Sequence, residues 1–210
     1  MLLHCATTNA GKLAEFRQAA RYFGADWCIV EAMPEMGRVA PCEETGSSFE
    51  ANAIEKALYY SRHTQELLFA DDSGLVVDAL DGAPGIYSAR YAGPGATDAD
   101  NNRLVLDRMR GKPNRAARFV CVVALARQGE IIGVFSGVVE GLLLTEPRGA
   151  LGFGYDPLFH YPDLGCTLAE LDGDRKLGVS HRGRALLALF RFLASDEASK
   201  RATRPASSRR

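Results

Sequence analysis

Four apolar residues, Leu67-Leu68-Phe69-Ala70, run without a break into two adjacent carboxylates, Asp71 and Asp72, followed by Ser73 and Gly74. A short unbroken apolar run reads as a buried strand. A buried strand that delivers acids at its end is a frequent way to hold a divalent cation or a general base. Neighbouring side chains on a strand point to opposite faces, so only one of the two acids can look fully into a given pocket. The same residues also suit an Asp-Ser-Gly turn between two hairpin strands, with the acids solvated.

The rest of the chain sets bounds on these two readings. With 210 residues it fits one domain of generous size, able to split into two lobes, and large enough to bury roughly 70% of its unfolded surface. A net charge of −1 gives no electrostatic case for a nucleic-acid partner or an anionic membrane. Anion binding must therefore come from local clusters of Lys, Arg and backbone amides. The cysteines (Cys5, Cys28, Cys42, Cys121, Cys166) are odd in number and scattered, which argues against a disulfide framework or a thiolate zinc site. The N-terminus has no basic stretch leading into a long apolar one, and no segment approaches membrane-spanning length. The expected location is the cytoplasm.

Hydrophobic periodicity predicts a strand over Leu2–Ala6, a helix over Gly11–Phe23 and a strand over Asp26–Val30. Ser47-Ser48-Phe49-Glu50 has the capping-box spacing and predicts a helix to about His63. A loop over 82–96 and a helix over Asp98–Met109 come next. Strands over Arg118–Arg127 and Ile131–Val139 join through a Gln128-Gly129-Glu130 hairpin, and a last helix begins at Ser180. Early strand–helix alternation with a central hairpin predicts an α/β protein with a mixed sheet. Residues 195–210 are small, polar and basic, and read as a disordered tail behind a domain over 1–194.

Four further segments carry residue types suited to chemistry. Ala6-Thr7-Thr8-Asn9-Ala10-Gly11-Lys12 joins a strand to a helix and offers amides, hydroxyls and an ammonium to phosphate oxygens, or simply an N-cap with a solvated Lys. It is not a Walker loop, because Ala6 and Leu13 replace the Gly and the Ser or Thr of that pattern. Glu43-Glu44 precedes a helix, where acids are favoured anyway, yet one of them with Asp72 matches the carboxylate count of a magnesium site on a phosphate substrate. Lys56, two turns along, either points to the same ligand or lies on the surface. Gly149-Ala150-Leu151-Gly152-Phe153-Gly154-Tyr155-Asp156-Pro157 brings backbone close to a ligand, with Phe153 or Tyr155 able to stack on a planar base or to pack inward. Lys176, His181 and Arg182 gather at and just before a helix start, where the dipole disfavours cations, so an anionic partner is indicated.

Six ordered motifs together resemble one family. They are Thr7-Thr8-Asn9-x-x-Lys12, Glu43-Glu44-Thr45-Gly46-x-x-Phe49-Glu50-x-Asn52-Ala53-x-x-Lys56-Ala57, Ala70-Asp71-Asp72-Ser73-Gly74-Leu75, Pro84-Gly85-x-Tyr87-Ser88-Ala89-Arg90, Gly152-Phe153-Gly154-Tyr155-Asp156-Pro157 and Ser180-His181-Arg182. Over about residues 2–194 the chain resembles the inosine triphosphate pyrophosphatases, or XTP/dITP diphosphatases, of bacterial type. The resemblance implies an elongated two-lobed α/β structure around a long mixed sheet with flanking helices, an active-site cleft between the lobes, and a homodimer. It implies hydrolysis of ITP, dITP and XTP to monophosphate and pyrophosphate with magnesium (Mg2+), which cleanses the nucleotide pool. Asp72 would be proton acceptor and metal ligand, with Glu43 or Glu44 as second carboxylate. Thr7, Thr8, Asn9, Ala10, Gly11 and Lys12 would hold phosphates. Ser73, Phe153, Gly154, Tyr155, Asp156, Lys176, His181 and Arg182 would bind substrate. Leu177, where the family often has Asn, and the acidic Asp172-Gly173-Asp174 depart from its pattern. A pyrophosphatase of other modified nucleotides and a nucleotide-binding module without turnover are the alternatives.

Overall fold

The computed structural model describes residues 1–195; the tail expected beyond them lies outside the described residues. Seven strands form one mixed sheet. They are β1 (Leu2–Cys5), β2 (Ile29–Ala32), β3 (Leu67–Val77), β4 (Ala116–Arg127), β5 (Glu130–Leu143), β6 (Phe159–Tyr161) and β7 (Cys166–Thr167). Their order is β2-β1-β3-β4-β5-β6-β7. β1 runs parallel to β2 and β3, while β6 is antiparallel to β5 and β7. Five helices flank the sheet: α1 (Ala10–Tyr22), α2 (Phe49–Tyr60), α3 (Asp98–Arg108), α4 (Gly173–Val179) and α5 (His181–Ala194). Gln128 and Gly129 join β4 to β5 with φ of 50° and 81°, the positive pair that a tight hairpin turn requires.

Several boundaries differ from the sequence reading for identifiable reasons. β3 does not stop at the acids; it continues through Asp71-Asp72-Ser73-Gly74 to Val77, so no turn forms there. Gly74 serves close approach instead. A Cβ at that position would collide with Ser88 Oγ and the Gly85 carbonyl, and Ser88 Oγ accepts a 2.9 Å bond from the Leu75 amide. The second strand lies at Ile29–Ala32, later than expected. Ser48, not Ser47, caps α2, accepting from the Ala51 amide. Between residue 157 and the helix at 180 the sequence pattern assigns no element, and the structure places β6, β7 and α4 there. The acidic Asp172-Gly173-Asp174 departure is the start of α4, with Asp172 as its N-cap.

The chain divides into two compact units. The first comprises Met1–Asp72, Val122–Ser136 and the described residues from Arg184 to Ser195; the second comprises Ser73–Cys121 and Gly137–Gly183. In the first, Phe16 of α1 meets Phe69 of β3 edge-on at 5.0 Å. Buried Leu3, Val30, Ala53, Ala57, Leu186 and Leu189 belong to the same unit. In the second, Leu75, Val77, Val105, Phe119, Val139, Leu158, Phe159 and Leu168 form one apolar cluster. Among the described residues no helix is long and apolar enough to cross a membrane.

Candidate active site

Two groups of polar side chains stand out, one in each unit. In the first unit, α1 opens with Asn9 as its cap, the side chain accepting from the Lys12 amide at 2.9 Å. That places Lys12 in the first turn, and its ammonium lies 2.8 Å from Asp71 Oδ2. The lysine expected to meet phosphates thus already has an acid partner. Alternation along β3 sends Asp72 the other way, to α2. There Asn52 Nδ2 donates to Asp72 Oδ2 at 3.0 Å, and Lys56 Nζ lies 3.5 Å from Oδ1. Lys56 also reaches Glu44 Oε1 at 3.3 Å, so of the two loop acids Glu44 is the one brought to this group. The loop carrying it is fixed by Glu55, which accepts from the Thr45 amide (3.0 Å) and hydroxyl (2.9 Å). Gly46 permits a close pass, since a Cβ there would press on Ala51 and Asn52.

Electrostatics follow from this packing. Burial pushes the Asp72 carboxyl above its ordinary range, and the Lys56 charge and the Asn52 bond partly oppose that. For Lys56, burial acts to lower the pKa, but Asp72, Asp71 and Glu44 outweigh it and the net shift is upward. Two ammonium groups (Lys12, Lys56) against three carboxylates (Asp71, Asp72, Glu44) leave one negative charge. No set of three or more His, Cys, Asp or Glu placed for a metal occurs among the described residues. A two-carboxylate cation site does fit: Asp72 and Glu44 both reach one ammonium, and the buried Asn52 Oδ1 beside them accepts no hydrogen bond. Oxygen donors of this kind suit magnesium.

In the second unit, Lys176 Nζ and Asp156 Oδ2 form a buried pair at 2.6 Å. The Phe153 amide donates to the same oxygen at 2.9 Å. Lys176 Nζ lies 4.8 Å from the Phe153 ring centre and the Arg182 guanidinium carbon 5.3 Å, both cation–π distances. Gly152, at φ 74°, has no room for a Cβ beside the Asp156 carboxylate. Arg182 donates to Ser73 Oγ at 3.0 Å. The His181 ring stacks on Phe119 at 4.6 Å and 11°. Lys176 sits in the last turn of α4, where a cation is favoured, and only His181 and Arg182 open α5. The departing residue Leu177 is simply core, 2% exposed.

The two aromatics of the glycine segment separate. Phe153 is half-buried, but Tyr155 packs into the apolar cluster with its hydroxyl donating to the Ser88 carbonyl at 2.8 Å. Burial pushes its phenol well above the usual range. A base can therefore stack on Phe153 and not on Tyr155. Asn52 was only a motif letter in the sequence reading. The signal for it was its spacing from Lys56, four residues on one helical face.

A mixed-sheet α/β chain with a buried strand carboxylate among lysines, and a half-buried aromatic ring flanked by cations, has the make-up of an enzyme for anionic substrates with a flat ring. The chain belongs to the Ham1 family, whose model matches residues 3–192. It is 48% identical over 190 residues to a dITP/XTP pyrophosphatase of Syntrophobacter fumaroxidans, covering 90% of this chain and 81% of the relative. It is 47% identical to a dITP/XTP pyrophosphatase of an Exiguobacterium species, with coverage of 90% and 95%. Among solved structures, a HAM1 protein from Coxiella burnetii superposes with a TM-score of 0.81 at 41% identity, covering 92% of this chain and 98% of that one.

Proposed function

We propose that this chain hydrolyses noncanonical purine nucleoside triphosphates (dITP, XTP and ITP) to the monophosphate and pyrophosphate. The relatives named dITP/XTP pyrophosphatases support this, matching nearly the whole chain. The observation that carries the chemistry is Asp72, a buried carboxylate held at both oxygens by Asn52 and Lys56. In its ionised form it accepts the proton of the attacking water. Its raised pKa makes it a better base than a solvated aspartate, while the two partners keep the ionised form populated.

Lys12, Lys56 and the amides of residues 7–12 suit the triphosphate, because cations and oriented N–H groups stabilise the charge that develops as pyrophosphate leaves. Magnesium, held by Asp72 and Glu44 when bound, would neutralise triphosphate charge. The second group suits the base. Phe153 offers a ring face, and Lys176, His181 and Arg182 offer donors to a 6-oxo oxygen. Adenine carries a 6-amino donor there, so donor would face donor at a cost of ~1–3 kcal/mol, roughly 5- to 150-fold in kcat/KM.

The test is an assay of pyrophosphate release from ITP, dITP, XTP, GTP and ATP with and without magnesium. Pyrophosphate from the first three, dependent on magnesium, with ATP at least roughly fivefold poorer, is expected. Release of orthophosphate, or equal use of ATP and ITP, would overturn the reading.

A further inference from the structure

Helix α3 lies outside every motif that carries the family resemblance, yet its first turns hold one residue of the glycine segment from both sides. The Gly154 amide donates to Asp98 Oδ2 at 2.6 Å, and Asn102 Nδ2 donates to the Gly154 carbonyl at 2.8 Å. Asp98 and Asn102 are four residues apart, on one face of the helix. The helix start is itself fixed. Thr97 and Asp100 form a reciprocal capping box, and Asn101 accepts from the Ala92 amide at 2.8 Å and donates to the Ala89 carbonyl at 3.3 Å.

Gly154 needs such a hold. It has φ 63° and Gly152 has φ 74°, so glycine flanks Phe153 on both sides and the backbone there has wide freedom. The C-terminal half of the segment is tied to the fold through the Tyr155 hydroxyl on the Ser88 carbonyl, Lys176 on Asp156 Oδ2 and the Ala169 amide on the Asp156 carbonyl at 3.3 Å. The bonds of Phe153 itself close the turn on itself: its amide goes to Asp156 Oδ2, and its carbonyl accepts from the Asp156 amide at 3.3 Å. Asp98 supplies the acceptor and Asn102 the donor that Gly154 requires. Turning over the Phe153–Gly154 peptide would lose the Asp98 bond, and turning over the Gly154–Tyr155 peptide would lose the Asn102 bond.

We propose that Asp98 and Asn102 are positioning residues for purine selectivity. They hold the Phe153–Asp156 segment in the one backbone conformation that sets the Phe153 ring against the Asp156–Lys176 pair. Neither touches the substrate. The inference rests on the nucleotide reading above and adds the helix face that enforces it.

The experiment measures kcat and KM for ITP and ATP, with melting temperature, for the wild type and for Asp98→Ala, Asp98→Asn, Asn102→Ala and Asn102→Asp. Asp98→Ala and Asn102→Ala should each lower the ITP-to-ATP ratio of kcat/KM on the order of tenfold, through KM for ITP more than through kcat. Asp98→Asn retains an acceptor and should restore most of the ratio; Asn102→Asp removes the donor and should not. Should Asp98→Ala fail to fold, Asn102→Ala and Asn102→Asp decide the question. A selective wild type whose variants keep the same ratio, or lose activity on both substrates equally, overturns the inference alone. A wild type that does not prefer ITP overturns the nucleotide reading and the inference with it.

Discussion

Asp71 and Asp72 are chemically identical and one bond apart in sequence, and their surroundings separate them. Asp71 spends its charge on Lys12 at 2.8 Å and has a side chain 2% exposed. Asp72 has a hydrogen bond from Asn52, a longer ion pair with Lys56, and a carboxyl raised by burial. Of the two, Asp72 is the one that the proposed mechanism uses as base. Asp72→Asn keeps the volume but removes both negative charge and proton acceptor, and should lower kcat by at least ~100-fold with the far-ultraviolet circular dichroism unchanged. Asp71→Asn should cost less in kcat, because it leaves the Asp72 carboxylate and its partners Asn52 and Lys56 in place. Parallel steady-state kinetics on the two variants check this, and near-normal turnover in Asp72→Asn would reject its role. Asn52 was harder to find than the acids because an asparagine in a helix announces no chemistry. Its spacing from Lys56 puts it on the same helical face, and its burial and its bond to Asp72 give it a part.

At the scale of elements, glycines set how closely neighbours approach. Gly183 lies in the first turn of α5, and a Cβ on it would drive into the Leu177 carbonyl of α4. Two effects of Gly183→Ala compete. Alanine in a helix gains ~1 kcal/mol over glycine, whereas overpacking costs ~1–3 kcal/mol and reaches the top of that range against backbone, which cannot rotate away. The clash wins by roughly 2 kcal/mol, so the melting temperature should fall by roughly 4–8 °C. Because Arg182 bonds Ser73 from the same turn, KM should rise as well. Thermal denaturation with substrate kinetics checks both; an unchanged melting temperature would show that α4 yields freely. Helices α1, α2, α3 and α5 were legible because each shows apolar periodicity or a capping pattern. α4 was not, since seven residues with two glycines give no period to read. The far half of β3 was hidden for a related reason: Ser73-Gly74 looks like a turn, and only the approach of Ser88 explains a glycine inside a strand.

For the whole molecule, each compact unit draws on separated stretches of chain, and β3, β4, β5 and α5 each contribute residues to both. Such a partition rests on contacts distant in sequence, so local pattern could give the α/β class and not the division. The five cysteines are scattered over the chain, and none of them forms a disulfide. Their burial orders their reactivity. Burial, with the Asp71 charge adding to it, pushes the Cys5 thiol to about 12, and burial pushes Cys28 to about 11. At pH 8 the reactive thiolate is therefore scarce at both. Cys121 is fully buried, whereas Cys42 and Cys166 are half-buried. Cys42 is slowed by burial and by Glu55 and Glu44, which raise its thiol. Exposure sets the order: native protein should alkylate at the half-buried Cys42 and Cys166 before the three buried thiols, and faster as the pH rises because the thiolate is the nucleophile. Cys5, Cys28 and Cys121 should label only once denaturant unfolds the chain. Peptide mapping by mass spectrometry after timed iodoacetamide treatment reads that order directly, and early labelling of Cys5 would show that β1 opens far more readily than its burial implies.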